Sequence, residues 1–153
     1  MKIVSGDLLD LANRGCFDVI VHGCNCHCEM GAGIALAIAR TYPEALAADR
    51  ATAPADRSKL GQLSVARITT GAAGPFSIVN GYTQYDWAGA GVLVDYDAVR
   101  GVFRRVRQRF VGLRIGYPKL GAGLAGGDWT VISGIIDQEL DGEDHTLVTF
   151  SSS

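Results

Sequence analysis

Short apolar runs rich in β-branched residues alternate along the chain with longer segments of helical periodicity. Residues 1–4 and 17–21 are strand-like, and the leucines and alanine at positions 8, 9, 11 and 12 between them suit a brief helix facing a core. Residues 62–69 and 76–83 are also strand-like and flank the turn sequence GAAG, which predicts an antiparallel hairpin. The first half of the chain therefore predicts a mixed sheet with at least one helix.

Three further segments are predicted to be helical. Residues 32–40 are apolar with few β-branched residues, and another turn follows a break before Pro43. Residues 51–61 are then expected to form a surface loop. Residues 95–110 place apolar residues at helical spacing, with five arginines on the other face that we interpret as a solvated surface. Residues 128–140 form the third helix, between strands at 113–118 and 145–150. The alternation predicts an α/β protein, a three-layer α/β/α fold with a mixed, mostly parallel central sheet.

The 153-residue length is typical of one domain, and we predict a single domain over residues 1–150 with a frayed tail at 151–153. The 14 basic and 16 acidic residues are interspersed and give a net charge of −2, so direct binding of a nucleic-acid backbone is not expected. No stretch approaches the roughly 20 apolar residues that span a bilayer. We therefore expect a monomeric cytoplasmic protein with no membrane partner, in the host cytoplasm if a phage encodes it.

Two glycine-rich loops each follow a predicted strand and lead directly into a predicted helix. The first is HGCNCHCEMGAGIA at residues 22–35, and the second is YPKLGAGLAGGDW at residues 117–129. Backbone amides at such junctions point outwards with the helix dipole behind them, which suits an anion. Two such loops at the carboxyl ends of parallel strands could clasp one diphosphate. The polar loop before Gly31 argues against a dinucleotide-binding dehydrogenase, whose fingerprint starts directly after its strand.

In order and spacing, GDLLD at residues 6–10, the Asn25 loop ending in MGAGIA, and YPKLGAGLAGGDW resemble the macro domain family. The resemblance covers nearly the whole chain. Residues 19–38 are most similar to the branch that contains the yeast ADP-ribose 1''-phosphate phosphatase and related bacterial and phage proteins. The resemblance implies a small-molecule ligand, ADP-ribose or a derivative, and hydrolysis of ADP-ribose 1''-phosphate to ADP-ribose and phosphate without a metal or other cofactor.

The resemblance also implies roles for individual residues. Asp7 would accept a hydrogen bond from the adenine amino group with Leu8 beside it, although a helix-capping role suits Asp7 equally. Asn25 would reach the distal ribose, where Gln84 and Tyr85 are candidates for further contacts. The remaining predicted ligand contacts are Met30, Gly31, Ala32, Gly33 and Ile34 around the distal ribose, and Leu120, Gly121, Ala122, Gly123, Leu124 and Ala125 around the diphosphate.

A phosphatase needs a nucleophile or an activated water, and a proton donor for the leaving ribose oxygen. We predict His22, Asn25 and Asp128 as catalytic, with Asp86 as a further candidate. His22 is the first choice because it follows the predicted strand 17–21 and matches the phosphatase branch, and a structural histidine is the alternative. Asp128 could act as a base or orient a water, and a helix cap is the alternative.

Two other functions stay open at this point. One is hydrolysis of ADP-ribosylated macromolecules or O-acetyl-ADP-ribose, although Gln84 and Ala125 stand where the glutamate-directed branch has a lysine and an aspartate. The other is non-catalytic binding of ADP-ribose-type metabolites. A metal site is not expected from the cysteines at 24, 26 and 28, because structural zinc draws paired ligands from two separate knuckles.

Overall fold

The computed structural model describes residues 1–89 and 91–150, and the predicted tail at 151–153 lies outside the described residues. Its strands form one six-stranded sheet in the order β1-β6-β5-β2-β4-β3. All neighbouring strands are parallel except β3 and β4, which pair as the predicted antiparallel hairpin. The strands are β1 (Lys2–Gly6), β2 (Val19–Cys24), β3 (Leu63–Ile68), β4 (Phe76–Tyr82), β5 (Ile115–Tyr117) and β6 (His145–Phe150).

Five α-helices accompany the sheet within the described residues: α1 (Leu8–Asn13), α2 (Gly33–Thr41), α3 (Pro43–Arg50), α4 (Tyr96–Arg109) and α5 (Trp129–Glu139). The side chains of Asp7, Asp95 and Asp128 accept backbone N–H groups at the starts of α1, α4 and α5. Pro43 opens α3, where its missing N–H is not needed. In the part of the chain that the structure describes, no helix is both long and apolar enough to cross a bilayer.

Alternation along the central strand β2 divides the core between the two faces of the sheet. Val19 and Val21 pack with α4 and α5, whereas Ile20 packs with α1, α2 and α3. The predicted three-layer α/β/α arrangement with a mixed, mostly parallel sheet is therefore confirmed. Because β1, β2, β4, β5 and β6 run in the same direction, the segments that follow them gather at one edge of the sheet.

The structure corrects two local predictions. The second strand was expected over residues 17–21, with His22 beyond its end, but β2 runs to Cys24 and contains His22 opposite Asn80 of β4. The surface loop expected between α3 and β3 contains a 3₁₀ turn at Arg57–Lys59. Lys59 is only 7% exposed there. Both differences move polar side chains from an expected surface into the protein.

Candidate functional site

A cleft of about 670 Å³ opens at the edge of the sheet where the parallel strands end. Pockets of this size hold nucleotide-sized ligands in other proteins. Residues after β1 and β5, the start of α2 and the end of β6 form its walls. They are Gly6, Asp7, Leu8, Leu9, Gly33, Ile34, Ala37, Pro118, Lys119, Val148, Thr149 and Phe150. The cleft therefore contains four of the predicted ligand contacts: Asp7, Leu8, Gly33 and Ile34.

Asp7 combines the two roles that its sequence position suggested. Its Oδ1 accepts hydrogen bonds from the backbone N–H groups of Leu9 at 2.9 Å and Asp10 at 3.2 Å, which confirms the helix cap. Asp7 also lines the cleft. The cap occupies Oδ1, so Oδ2 can accept a hydrogen bond from an amino group in the cleft.

The first glycine loop ends in a helix N-terminus that is open to the cleft. Ala32 occupies the N-cap position of α2 without a capping side chain, and Gly31, Ala32 and Gly33 are exposed. Gly33 has φ +55°, a conformation that side-chain-bearing residues rarely adopt. The first amides of α2 thus point towards the cleft with the positive end of the helix dipole, the arrangement that binds anions.

The second glycine loop, residues 120–127, folds back on itself and approaches the first. The N–H of Gly127 donates to the carbonyl of Gly121 at 2.7 Å, and Gly121 has φ +76°. Leu124 is 77% exposed, and a Cβ built on Gly33 would lie 3.9 Å from its Cδ1. The second loop therefore reaches the start of α2 through Leu124, although residues 120–125 are not among those that line the cleft.

Asn25 and Met30 occupy positions that differ from simple ligand contacts. The Asn25 side chain donates from Nδ2 to the carbonyl of Glu29 at 2.8 Å and accepts the N–H of His27 at 2.9 Å, which fixes the shape of its loop. One N–H of its amide is left over for a ligand. Met30 is buried in the core beneath α2 rather than lining the cleft. The ribose contact predicted for Asn25 stays a prediction.

The segment between β4 and α4 (residues 83–89 and 91–95, the distal strap) connects the two glycine loops. Its ends are joined by a hydrogen bond from Asp95 N–H to the Thr83 carbonyl, and Gln84 pairs with Val94. The strap carbonyl of Tyr85 accepts the N–H of Cys26, and the N–H of Leu93 donates to the carbonyl of Ala125. The strap is thus hydrogen-bonded to both glycine loops, and none of its described residues is among those that line the cleft.

An aromatic cluster lies where the distal strap meets the Asn25 loop. The imidazole of His27 packs edge-on against Tyr85 and Trp87, with ring centroids 4.6 and 5.0 Å apart. His27 Nε2 lies 3.2 Å from Oδ1 of Asp86, and the guanidinium of Arg57 lies 3.8 Å from the Tyr85 ring centre. Tyr85 Oη donates to the Ala55 carbonyl. The sequence identified Tyr85 and Asp86 as candidate site residues, but it did not predict their contacts with His27 and Arg57.

His22 lies inside the protein and not at the mouth of the cleft. It is 1% exposed, and its Nε2 lies 2.6 Å from Oδ1 of Asn80. Asn80 directs its own amide N–H groups to the Ala45 carbonyl and Ser64 Oγ, so Nε2 of His22 is the donor. The other ring nitrogen, Nδ1, lies 3.8 Å from Sγ of Cys24. Burial lowers the pKa of His22 to about 4. These contacts support a structural histidine, and they do not support the predicted catalytic role.

Asp128 caps α5, the alternative that its sequence position suggested. Its Oδ1 accepts the N–H of Thr130 at 2.9 Å, and its own N–H donates to Tyr96 Oη at 3.0 Å. These contacts hold α5 against the start of α4. Asp128 is not among the residues that line the cleft. The predicted role of Asp128 as a base or water-orienting group therefore stays a prediction.

A buried polar cluster supports the Asn25 loop from below. Lys59 Nζ donates to the Cys26 carbonyl at 3.0 Å, and Tyr82 Oη donates to Oδ1 of Asp49 at 2.8 Å. Desolvation raises the pKa of Asp49, while the nearby Lys59 ammonium opposes that shift. Cys28 Sγ donates to the Asp49 carbonyl. Sequence inspection missed this cluster because its members come from four separate segments: the Asn25 loop, α3, the 3₁₀ turn and β4.

The cysteine and histidine side chains of the Asn25 loop point in different directions. Cys24 and Cys26 are buried, Cys28 contacts α3, and His27 faces the distal strap. Among residues 1–89 and 91–150, no three His, Cys, Asp or Glu side chains come together in a group that could hold a metal ion.

Comparison with known proteins gives matches over most of the chain. The macro domain family model matches residues 21–135. An uncharacterized 17.5 kDa protein from the tk-vs intergenic region of Enterobacteria phage T4 is 32% identical over 144 residues, which cover 90% of this chain and 88% of the phage protein.

Two further relatives come from Mycobacterium tuberculosis. A DNA ADP-ribosyl glycohydrolase is 33% identical over 127 residues, covering 82% of this chain but only 34% of the mycobacterial protein, so the chain spans about a third of that relative. The solved macrodomain of M. tuberculosis DarG has a TM-score of 0.72 and 29% identity, and the match covers 99% of this chain and 97% of the macrodomain. The chain belongs to the macro domain family.

Proposed function

We propose that the cleft binds ADP-ribose, with the adenine beside Asp7 and the diphosphate between the two glycine loops. The convergence of these loops carries the proposal, because Leu124 of one reaches Gly33 of the other. Each loop leads into a helix, so both present backbone amides to the same space. In this arrangement the second ribose lies next to Asn25, whose loop leads into α2.

We further propose that the chain is a hydrolase that removes ADP-ribose from DNA. Support comes from the mycobacterial relative, which is named a DNA ADP-ribosyl glycohydrolase and is 33% identical over 82% of this chain. In this reaction the oxygen of a water forms a bond to C1'' of the distal ribose while the bond from C1'' to the DNA base breaks. The water loses one proton, and the leaving atom of the base gains one. Asn25 and Asp86 are the proposed side chains nearest to these events.

The amide of Gln84 cannot transfer a proton as a lysine ammonium group can, so the proposed mechanism does not use residue 84 as an acid or base. Its Nε2 donates to the Asp86 carbonyl at 2.7 Å and so fixes the turn that carries the Asp86 carboxylate. Asp86 is exposed and accessible from the distal end of the site. We propose that Asp86, rather than residue 84, assists the attacking water.

Removal of phosphate from ADP-ribose 1''-phosphate is the second candidate. It is favoured by the run of residues 19–38, which resembles the phosphatase branch of the family. The position of His22 weakens this candidate, because a histidine that is 1% exposed cannot donate a proton to a ligand in the cleft. The exposed carboxylate of Asp86 would also repel a phosphate at the distal end.

One assay separates these candidates. The protein is incubated, in the presence of a chelator, with a single-stranded oligodeoxynucleotide carrying one ADP-ribose on a base, and with ADP-ribose 1''-phosphate. Release of ADP-ribose from the DNA supports the first candidate, and release of phosphate alone supports the second. Binding of ADP-ribose without release from either substrate would overturn the hydrolase and leave a non-catalytic reader.

A matched pair of glutamate variants links the activity to the cleft. Gly31→Glu places a carboxylate at the proposed anion site, where a Cβ would meet nothing within 4 Å. Gly134→Glu adds the same charge at an equally open position of α5. We expect Gly31→Glu to abolish release and Gly134→Glu to retain it. Equal activity of the two variants would place the reaction elsewhere.

A further inference from the structure

The side chain of Trp87, on the distal strap, is 57% exposed. Its ring packs against His27 at an interplanar angle of 83°, and His27 belongs to the same loop as Asn25, the residue proposed to lie next to the distal ribose. Partly exposed tryptophan rings are enriched where a protein meets a ligand or a partner. Through this contact Trp87 is placed near the group that is attached to the distal ribose in the proposed reaction.

Neighbouring contacts hold this part of the strap in place. The carbonyl of Tyr85 accepts the N–H of Cys26 at 3.0 Å, and its hydroxyl donates to Ala55 at 3.1 Å. Arg57 covers the ring of Tyr85 and so occupies one of its faces. His27 is tied to Asp86 on the strap. These contacts hold the strap in place around Trp87, whose exposed ring follows Asp86 in the chain.

We propose that Trp87 is a stacking site for the nucleobase that carries the ADP-ribose, an inference that rests on the proposed removal of ADP-ribose from DNA. A base has a planar face, and bases stack on aromatic side chains with little dependence on sequence. His27 contacts both the Trp87 ring and the Asp86 carboxylate, so it holds the ring at a fixed position relative to the proposed catalytic group.

Other leaving groups fit the same surface less well. A phosphate has no planar apolar face and would meet the exposed carboxylate of Asp86. A glutamate side chain is also acidic and offers no ring to Trp87. Stacking on one base does not need a positive surface, so it agrees with the net charge of −2. The site therefore selects the modified base and not the phosphate backbone.

The test compares Trp87→Ala with Trp87→Phe on the ADP-ribosylated single-stranded oligonucleotide. We expect Trp87→Ala to raise KM for this substrate at least about fivefold, the effect of losing one base–aromatic stack. Phe keeps a ring face and is expected to restore most of the affinity. The dissociation constant for free ADP-ribose, measured by calorimetry, is expected to stay at the wild-type value in both variants.

Tryptophan fluorescence gives a direct readout of the stack. The chain contains two tryptophans, so Trp129→Phe leaves Trp87 as the sole reporter. In a single-turnover experiment we expect quenching when the modified oligonucleotide binds and recovery when the base leaves. Free ADP-ribose is expected to give a smaller change because it carries no base at the distal end.

Three outcomes would overturn the inference while leaving the proposed reaction intact. The first is a KM for the modified oligonucleotide that is unchanged in Trp87→Ala. The second is a loss of affinity for free ADP-ribose as large as the loss for the oligonucleotide, which would mean that Trp87 only holds the strap. The third is an equal effect of Trp87→Ala on an ADP-ribosylated glutamate peptide. Failure of the proposed reaction has a different result. The wild-type protein would then bind ADP-ribose but release none from the oligonucleotide, and the inference would fall with it.

Discussion

The Nε2 of His22 lies 2.6 Å from Oδ1 of Asn80, between the neighbouring strands β2 and β4 and beneath α3. The two side chains hydrogen-bond to each other, and Asn80 also donates to the Ala45 carbonyl, in a region buried from solvent. A histidine after the predicted second strand had suggested a catalytic acid. Its actual partners make it part of the core that supports the Asn25 loop.

The first prediction concerns the pH dependence of stability. Because burial lowers the folded-state pKa of His22 to about 4, the unfolded state binds this proton more readily below its ordinary pKa of 6.5. His22 therefore contributes stability that is fully present above pH 6.5 and is lost as the pH falls from 6.5 towards 4. The full effect is about 3 kcal/mol in the free energy of unfolding.

Urea unfolding of the wild type and of His22→Gln between pH 7.5 and 4.5 tests this expectation. Glutamine can still donate an N–H to Asn80 but does not titrate. The pKa of His145 is also lowered by burial, and His145 is unchanged in both proteins, so the difference between them isolates His22. An identical pH dependence in the two proteins would contradict the buried neutral imidazole.

Asp7→Asn should weaken ADP-ribose binding without a matching loss of stability. Asparagine caps a helix as well as aspartate does, so the hydrogen bonds to Leu9 and Asp10 are retained. The second oxygen, however, becomes an N–H that cannot accept from the adenine amino group. We expect about a tenfold rise in Kd by calorimetry, the effect of one lost hydrogen bond.

Asp128→Asn is the control for this change. Asp128 caps α5 through the same kind of contact to Thr130 but does not line the cleft. Its substitution is expected to leave Kd for ADP-ribose unchanged. Equal effects of the two substitutions on binding would remove the adenine role proposed for Asp7.

Gly121→Ala should damage the second phosphate loop, and Gly123→Ala should not. Gly121 has φ +76°, and a Cβ there would lie 2.9 Å from Cγ2 of Val94. Gly123 has open space around it. We expect Gly121→Ala to lower the free energy of unfolding by more than about 1 kcal/mol and to weaken ADP-ribose binding. Similar thermal unfolding and similar affinity for the two variants would contradict the loop geometry.

Lys59→Met should destabilise the support of the Asn25 loop. Methionine keeps an apolar stem, but the Cys26 carbonyl loses one of its two donors and keeps only the N–H of Ala55. The buried Asp49 also loses the Lys59 charge that favours its ionised form. We expect a loss of about 1–3 kcal/mol in the free energy of unfolding. Lys2→Met, at an exposed position of β1, serves as the control and should change little. A stable Lys59→Met protein would show that the ammonium is dispensable.

The fold could be predicted from the sequence because its strongest signals are local. The hairpin around GAAG, the break before Pro43 and the helix caps suggested for Asp7 and Asp128 each depend on a few neighbouring residues, and all of them are confirmed. The two glycine loops also followed from strand, turn and helix order. Their approach through Gly33 and Leu124 required the sheet order, which brings β2 next to β5.

The side-chain partners at the distal end could not be predicted in the same way. His27 pairs with Asp86, 59 residues away in the sequence, and Lys59 reaches the carbonyl of Cys26 from a segment that reads as surface loop. The position of His22 had a usable signal, since alternation places it on the same face of β2 as Ile20, which faces α1, α2 and α3. The predicted strand ended before His22 because a polar residue after an apolar run is typical of a strand end.

Calorimetric titration of ADP-ribose into the purified wild-type protein is the most direct test of the central claim, that the cleft beside Asp7 holds this ligand. The account predicts saturable binding of one molecule per chain, lost in Gly31→Glu and retained in Gly134→Glu. Absence of binding at about 1 mM ligand, or equal binding by both glycine variants, would contradict it.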